Sequence, residues 1–220
     1  MSKKVLFVLT SRNQYDDGSQ TGLWLEEASE PYRILAEANI TVDLVSIDGG
    51  AVPIDANSTQ NGELEQYSDF VDKINDVPSI KTVNVDNYDA IYLPGGHGTV
   101  FDFGHNQELA TVIAEFKEQN KFISSVCHGP SAFVGAKDKN GNFIVKDVTL
   151  TAFTDEEERA MGLENKVPFL TQSELENQGA KFVTKDNFVS HVEQDGLFIT
   201  GQNPQSSIAI GETLRDALTQ

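Results

Sequence analysis

Phe122-Ile123-Ser124-Ser125-Val126-Cys127-His128-Gly129-Pro130 says more about the architecture than any other segment of the chain. Its first five residues form a short run bounded by a turn, with apolar Phe122, Ile123 and Val126 around two small serines. Such a run reads as a strand buried on both faces. The chain then passes straight into Cys127, where Gly129 lets the backbone turn sharply and Pro130 suits a first helical turn. A strand that ends on a nucleophile and turns at once into a helix is an elbow, which lifts the side chain above the sheet in a strained conformation. The helix N-terminus is expected to favour thiolate over thiol, lowering a reference pKa of about 8.5. A lone cysteine is often only a buried apolar residue. The strand before it and the His-Gly-Pro after it favour the nucleophile.

Working outward, the same grammar recurs. Lys4 to Thr10 is a second continuous apolar run, Thr41 to Ile47 and Tyr88 to Leu93 are further strands, and helical periodicity fills Gly22 to Asn39 and Asn106 to Gln119. Beyond the elbow, strands are expected at Val148 to Phe153, Phe182 to Val192 and Leu197 to Gly201, the last two forming a hairpin turned at Gln194-Asp195-Gly196. Helices are expected from Asp155 to Met161, Leu170 to Gln178 and Ser206 to Leu218. Alternating strands and helices predict an α/β chain, an open and mostly parallel sheet covered on both faces. One domain spans 1–220. The polar stretch 51–82, with a helix near Leu64 to Ile74, reads as a surface insertion. In such a sheet the working loops lie beyond the carboxyl ends of the strands. Three unusual loops fall there: Asn13 to Thr21, Pro94 to Gly98, and Cys127 to Pro130.

Composition narrows the function. With 34 acidic against 16 basic residues the net charge is −18, a field that repels phosphate backbones and anionic lipid. Neither a nucleic-acid nor a membrane partner is expected. One cysteine excludes an intramolecular disulfide and suits a reducing compartment. The apolar run Val5 to Leu9 is too short for a secretory core. No stretch approaches the roughly 20 apolar residues of a membrane span. A cytoplasmic location is expected.

Around Cys127 the sequence offers partners of different weight. The backbone N–H of His128 is placed to stabilise an oxyanion at a carbon attacked by the sulfur. Its imidazole can serve as acid or base on the substrate, although adjacent side chains on a turn diverge and need not touch. Gly95-Gly96-His97-Gly98 lacks both the dinucleotide fingerprint and a P-loop lysine. Its better use is to add backbone donors (Gly95, Gly96, His97) to an oxyanion or substrate site. Glu26 and Glu27 follow the first loop, and whichever faces inward would have its carboxyl pKa raised by burial and by a nearby thiolate. With one cysteine and four scattered histidines no metal site is expected.

Taken together, Thr21-Gly22 with Glu27 and Pro31, Pro94 to Gly98, and Val126 to Pro130 resemble the ThiJ/PfpI superfamily, related in fold to class I glutamine amidotransferase domains. Phe153-Thr154-Asp155 with Glu158, Val167 to Leu170, and Thr200-Gly201-Gln202-Asn203-Pro204 extend the resemblance along nearly the whole chain, towards the glyoxalase III and stress-chaperone branch. The resemblance implies a flavodoxin-like three-layer sandwich, a homodimer, and a glutathione-independent glyoxalase turning methylglyoxal or glyoxal and water into a hydroxy acid without a cofactor. It places the nucleophile on Cys127, the histidine on His128, the inward glutamate on Glu27, and the histidine's acidic partner on Glu158 within the crowded run Asp155 to Glu158. It also brings protein deglycase and chaperone activities into view. Amidotransferase chemistry is set aside on the expectation that no distant His-x-Glu completes the cysteine. A cysteine hydrolase or peptidase stays open, because thiolate and oxyanion hole equally serve acyl transfer. So does a redox-sensing holdase whose cysteine is merely oxidised.

Overall fold

Alternating apolar side chains in Lys4–Leu9 (β1) decide where the core lies. Leu6 and Val8 enter one apolar layer, while Val5, Phe7 and Leu9 enter another on the opposite side of the strand. A strand fully buried on both faces must sit inside a sheet with helices above and below. The computed structural model, which describes all 220 residues, has that arrangement. After β1 come α1 (Leu25–Glu37), β2 (Thr41–Ser46), α2 (Glu63–Gln66), α3 (Ser68–Lys73), β3 (Ala90–Leu93), α4 (Gly98–Asp102), α5 (Gln107–Glu118) and β4 (Phe122–Val126). Then follow β5 (Thr149–Leu150), α6 (Asp155–Ala160), α7 (Thr171–Asn177), β6 (Lys181–Phe182), β7 (Val192–Asp195), β8 (Phe198–Gly201) and α8 (Ser207–Thr219).

The main sheet has the order β2-β1-β3-β4-β8-β7, parallel throughout except for the antiparallel edge strand β7. On one face α1 and α8 bury Leu25, Ala28, Leu35, Ile210 and Leu214; on the other, α5 buries Leu109, Val112, Ile113 and Phe116. This is a flavodoxin-like three-layer sandwich, and the strand order reverses between β1 and β3. The loops after β1, β3 and β4 open at that carboxyl edge, as the sequence predicts. No helix is long and apolar enough to cross a membrane.

Two expected strands are shorter than predicted. The stretch 148–153 pairs only at Thr149–Leu150, with Lys181–Phe182 in a separate two-stranded sheet. Residues 183–191 form no strand. Their backbone groups bond to side chains instead: Lys185 N–H donates to Gln202, Phe188 N–H to Glu157, and the Val189 carbonyl accepts from Asn203. The hairpin of β7 and β8 is present. In 51–82 the helix is broken at Tyr67, and Val52, Phe70, Ile74, Val77 and Ile80 are buried. Leu23 N–H donates to Pro53 O and Asp55 N–H returns a bond to Leu23 O, so this stretch is laced to the entrance of α1.

Pro31 lies inside α1. Proline has no N–H, so the carbonyl four residues earlier, that of Glu27, loses its helical partner. The hydroxyl of Tyr92 on β3 donates to that carbonyl at 2.5 Å instead, both groups being buried. The helix defect thereby ties Glu27 to the sheet. Tyr92→Phe is expected to leave the Glu27 carbonyl unsatisfied and to cost about 1–3 kcal/mol of stability. Urea denaturation checks this; an unchanged midpoint would mean that the bond adds nothing.

Candidate active site

The elbow is built from its backbone outward. Cys127 has φ of +59°, a left-handed conformation uncommon for any residue but glycine. Its N–H donates to Gly201 O at 3.0 Å and its carbonyl accepts from Phe153 N–H at 2.9 Å, which locks the turn from both sides. The glycine is needed for a different reason from the one expected. Gly129 does not supply the left-handed residue; a Cβ there would lie 2.1 Å from Leu93 O and 2.4 Å from Ser125 Oγ. Only a bare backbone fits so close to β3.

The left-handed turn also brings neighbouring side chains to one side. The Cys127 sulfur lies 3.4 Å from His128 Nδ1, so these two do touch, against the expected divergence. His128 Nε2 is 2.5 Å from Glu158 Oε2, and His97 Nε2 is 2.6 Å from Glu158 Oε1. A carboxylate can only accept, so both rings present Nε2–H to it. That fixes the tautomer of His128 and leaves Nδ1 as a lone pair facing the sulfur. Cys127, His128 and Glu158 thus form a linear relay. His97, expected at the oxyanion, joins Glu158 from the far side, its ring centroid 4.1 Å from that of His128.

Burial would push the Glu158 carboxyl up, but the field of His128 and the hydrogen bonds from both rings outweigh it and hold it well below the ordinary carboxylate range. Burial, then the neighbouring His97, push His128 below the usual imidazole value against the pull of Glu158. The neighbouring Glu157 is buried too, but it faces away from the histidines. It closes a capping box with Thr154 and accepts from Phe188, Gln202 and Asn203.

Glu27, not Glu26, is the inward glutamate, fully buried on the first turn of α1. Its Oε1 accepts the Gly95 N–H at 2.8 Å, while Oε2 has no nitrogen or oxygen partner. The Cys127 thiol is close enough that the two groups shift each other's ionisation. Burial pushes the Glu27 carboxyl well above its usual value, with Gly95 and Cys127 pulling it back. Burial likewise pushes the Cys127 thiol well up, and the charges of Glu27, Glu157 and Glu158 act in the same direction. The expectation that a helix dipole alone lowers the thiol is therefore corrected. The following helix is a five-residue 3-10 turn, and desolvation outweighs it. Two anions cannot occupy this buried space, so Glu27 and Cys127 together hold at least one proton.

Gly95 gives its N–H to Glu27, so it cannot also serve an oxyanion. The N–H groups of Gly96 and His128 have no protein acceptor. Gly96 has φ of +110°, and a Cβ there would lie 2.1 Å from Gly22 O, so this turn is packed against the entrance to α1. A cavity of about 310 Å³ opens above these groups. Trp24, Phe153, Met161 and Phe188 give it apolar walls, while Asn57, Ser58, Asn61 and Glu63 come from the 51–82 stretch. Apart from Phe153, which lies in a recognised motif, these wall residues were invisible to motif reading, because their loops reach the site only through the fold.

His97, His128 and Glu158 each offer one ligand atom within 4.8 Å of the others, a set able to hold a divalent ion. The expectation of scattered histidines fails for these two. The sequence reading also overlooked His191-Val192-Glu193, a His-x-Glu downstream of the cysteine. The fold keeps it out of the cavity. His191 bonds Glu193 at 2.8 Å and lines a separate open groove.

The depressed pKa of Glu158 has a consequence for stability. A carboxyl whose folded value lies below its unfolded value of about 4.3 contributes fully above that pH, and the contribution is lost as pH falls through the folded value. Glu158→Gln is therefore expected to destabilise most at neutral pH, with the gap from wild type shrinking below about pH 4. Urea denaturation across pH measures the gap; a gap independent of pH would contradict the assignment.

Known proteins supply an independent view. The profile of the DJ-1/PfpI family matches residues 20–217. The chain is 30% identical to the glutathione-independent glyoxalase HSP31 of Saccharomyces cerevisiae, over 98% of each chain. Among solved structures it is similar to the 24 kDa rapid encystment protein of Francisella tularensis, with TM-score 0.93, 35% identity, and 98% and 99% of the two chains covered. It is also similar to glyoxalase III of Candida albicans, with TM-score 0.89, 28% identity, and 98% and 97% covered. In sequence and in fold, the chain belongs to the DJ-1/PfpI family.

Proposed function

We propose that this protein is a glutathione-independent glyoxalase, converting methylglyoxal and water to lactate with Cys127 as nucleophile. The observation that carries the reading is the buried Cys127 with His128 Nδ1 at 3.4 Å from its sulfur and the buried Glu27 carboxyl coupled to it. Two acid–base groups flank one sulfur, and isomerising a 2-oxoaldehyde needs proton transfer at two adjacent carbons. Simple acyl transfer requires only one base. The similarity to HSP31 and to the Candida albicans enzyme supports the same choice.

The sulfur passes its proton to His128 or Glu27 and adds to the aldehyde carbon, giving a hemithioacetal. Its oxygen is received by the unpaired N–H groups of Gly96 and His128. The proton on that carbon is then withdrawn, the ketone oxygen is protonated, and an enediol forms. Reprotonation at the second carbon gives the thioester of the hydroxy acid. Water hydrolyses it, releasing lactate and returning the thiol. Glu158 keeps His128 in the Nε2–H tautomer through these transfers and stabilises the imidazolium whenever Nδ1 takes a proton. A nucleophile with one free thiol works only while reduced, which supports a reducing compartment such as the cytoplasm.

This reading uses no metal. Both histidines of the metal-capable set already donate to Glu158, and an ion on His128 Nε2 would displace the proton donated there. Wild-type protein is therefore expected to form lactate from methylglyoxal without glutathione, with chelator present, and added Zn²⁺ is expected to inhibit. Cys127→Ala is expected to abolish the activity, and Glu27→Gln to lower it about 100-fold or more. An enzymatic lactate assay decides. Absence of lactate from wild type contradicts the glyoxalase reading, and loss on chelation contradicts the metal-free one. Release of amine or acid from peptide or ester substrates would instead support the hydrolase.

A further inference from the structure

The motif Thr200-Gly201-Gln202-Asn203-Pro204 has no place in the steps above, yet its two amides converge on a single group. Glu157 is fully buried. Its Oε1 accepts from Thr154 N–H at 3.0 Å and Gln202 Nε2 at 3.1 Å; its Oε2 accepts from Phe188 N–H at 2.9 Å and Asn203 Nδ2 at 3.0 Å. Four donors and no cation surround one carboxylate. The same amides hold the chain on either side of Phe188: Gln202 bonds both backbone groups of Lys185, and Asn203 Nδ2 donates to Val189 O at 2.8 Å.

Phe188 is the residue that this network constrains. Its φ is +59°, the left-handed region, which a bulky side chain leaves unless its surroundings over-determine it. Its ring is partly exposed, lines the cavity above Cys127, and lies 6.2 Å from the ring of Phe153. Phe153 in turn lies 4.5 Å from His128. A strained aromatic clamped by a buried carboxylate at the mouth of a reactive-cysteine cavity limits what can approach the sulfur.

We propose that Phe188 is the size-determining wall of the Cys127 cavity, and that Glu157, gripped by Gln202 and Asn203, is the positioning residue that holds it there. As a statement about substrate class this rests on the glyoxalase reading: it assigns the site to small aliphatic 2-oxoaldehydes and against aryl ones. As a statement about access to the sulfur it stands independently of that reading.

The test therefore has two readouts. One is the kcat/KM ratio of phenylglyoxal to methylglyoxal. The other is the ratio of Cys127 alkylation rates with iodoacetanilide and iodoacetamide, which needs no turnover. Phe188→Ala and Glu157→Gln are each expected to raise both ratios roughly tenfold. Glutamine puts a donor against donors and releases one side of the clamp. Because the two residues act as a unit, the double variant is expected to gain no more than either single one. If Glu157→Gln fails to fold, Phe188→Ala alone still decides whether the wall exists, and Asn203→Leu replaces Glu157→Gln in the coupling test. An unchanged alkylation ratio in Phe188→Ala overturns the wall. Additive effects in the double variant overturn the role of Glu157. If only the turnover ratio stays flat because no lactate forms, the glyoxalase reading fails and the alkylation ratio still judges the wall.

Discussion

The burial of Glu27 and Cys127 in one pocket that cannot hold both as anions sets the terms for the rest of the site. Both groups are desolvated, and each would repel the other if both were charged. A thiol buried alone would be a poor nucleophile. A thiol that can pass its proton to a carboxylate beside it, or to a neutral imidazole at 3.4 Å, reaches its anion without any net change of charge in the pocket. The burial that disfavours ionisation of either group alone thus makes the transfer between them accessible.

Much of the local architecture holds that pair in place. Pro31 frees the Glu27 carbonyl for Tyr92, and the Gly95 N–H fixes one carboxyl oxygen while the other has no hydrogen-bond partner. Close approach of Gly129 to Leu93 O seats the elbow against β3. Glu158 takes both Nε2–H groups, which sets the direction in which His128 can accept a proton. Adjacent in sequence, Glu157 and Glu158 point to opposite tasks: one orients histidines, the other anchors the chain that walls the cavity.

The sandwich was legible in the sequence because its strands are buried on both faces and so appear as unbroken apolar runs, as in Val5 to Leu9. The elbow was legible because a buried strand ending on Cys127-His128-Gly129-Pro130 has few other uses. The stretch 183–191 was misread as a strand because its backbone bonds go to Gln202, Asn203 and Glu157, and side-chain partners from distant residues leave no periodic trace. The direction of the Cys127 pKa shift was misjudged for a similar reason. The dipole argument uses neighbours in the chain, whereas burial and the Glu27 charge come from elements a hundred residues apart in sequence. His97 and His128, thirty-one positions apart, could not be paired through Glu158 before the loops after β3 and β4 were brought together.

The most direct measurement of how Glu27 and Cys127 hold their proton is the pH dependence of Cys127 alkylation by iodoacetamide, in wild type and in Glu27→Gln. If the pair holds one proton, the wild-type rate is nearly flat between about pH 6 and pH 8, since the proton only changes seats within that range. In Glu27→Gln the sulfur has lost its titrating neighbour, and the rate climbs with pH over the same interval. A wild-type rate that rises about tenfold per pH unit, like that of an isolated thiol below its pKa, would contradict the account.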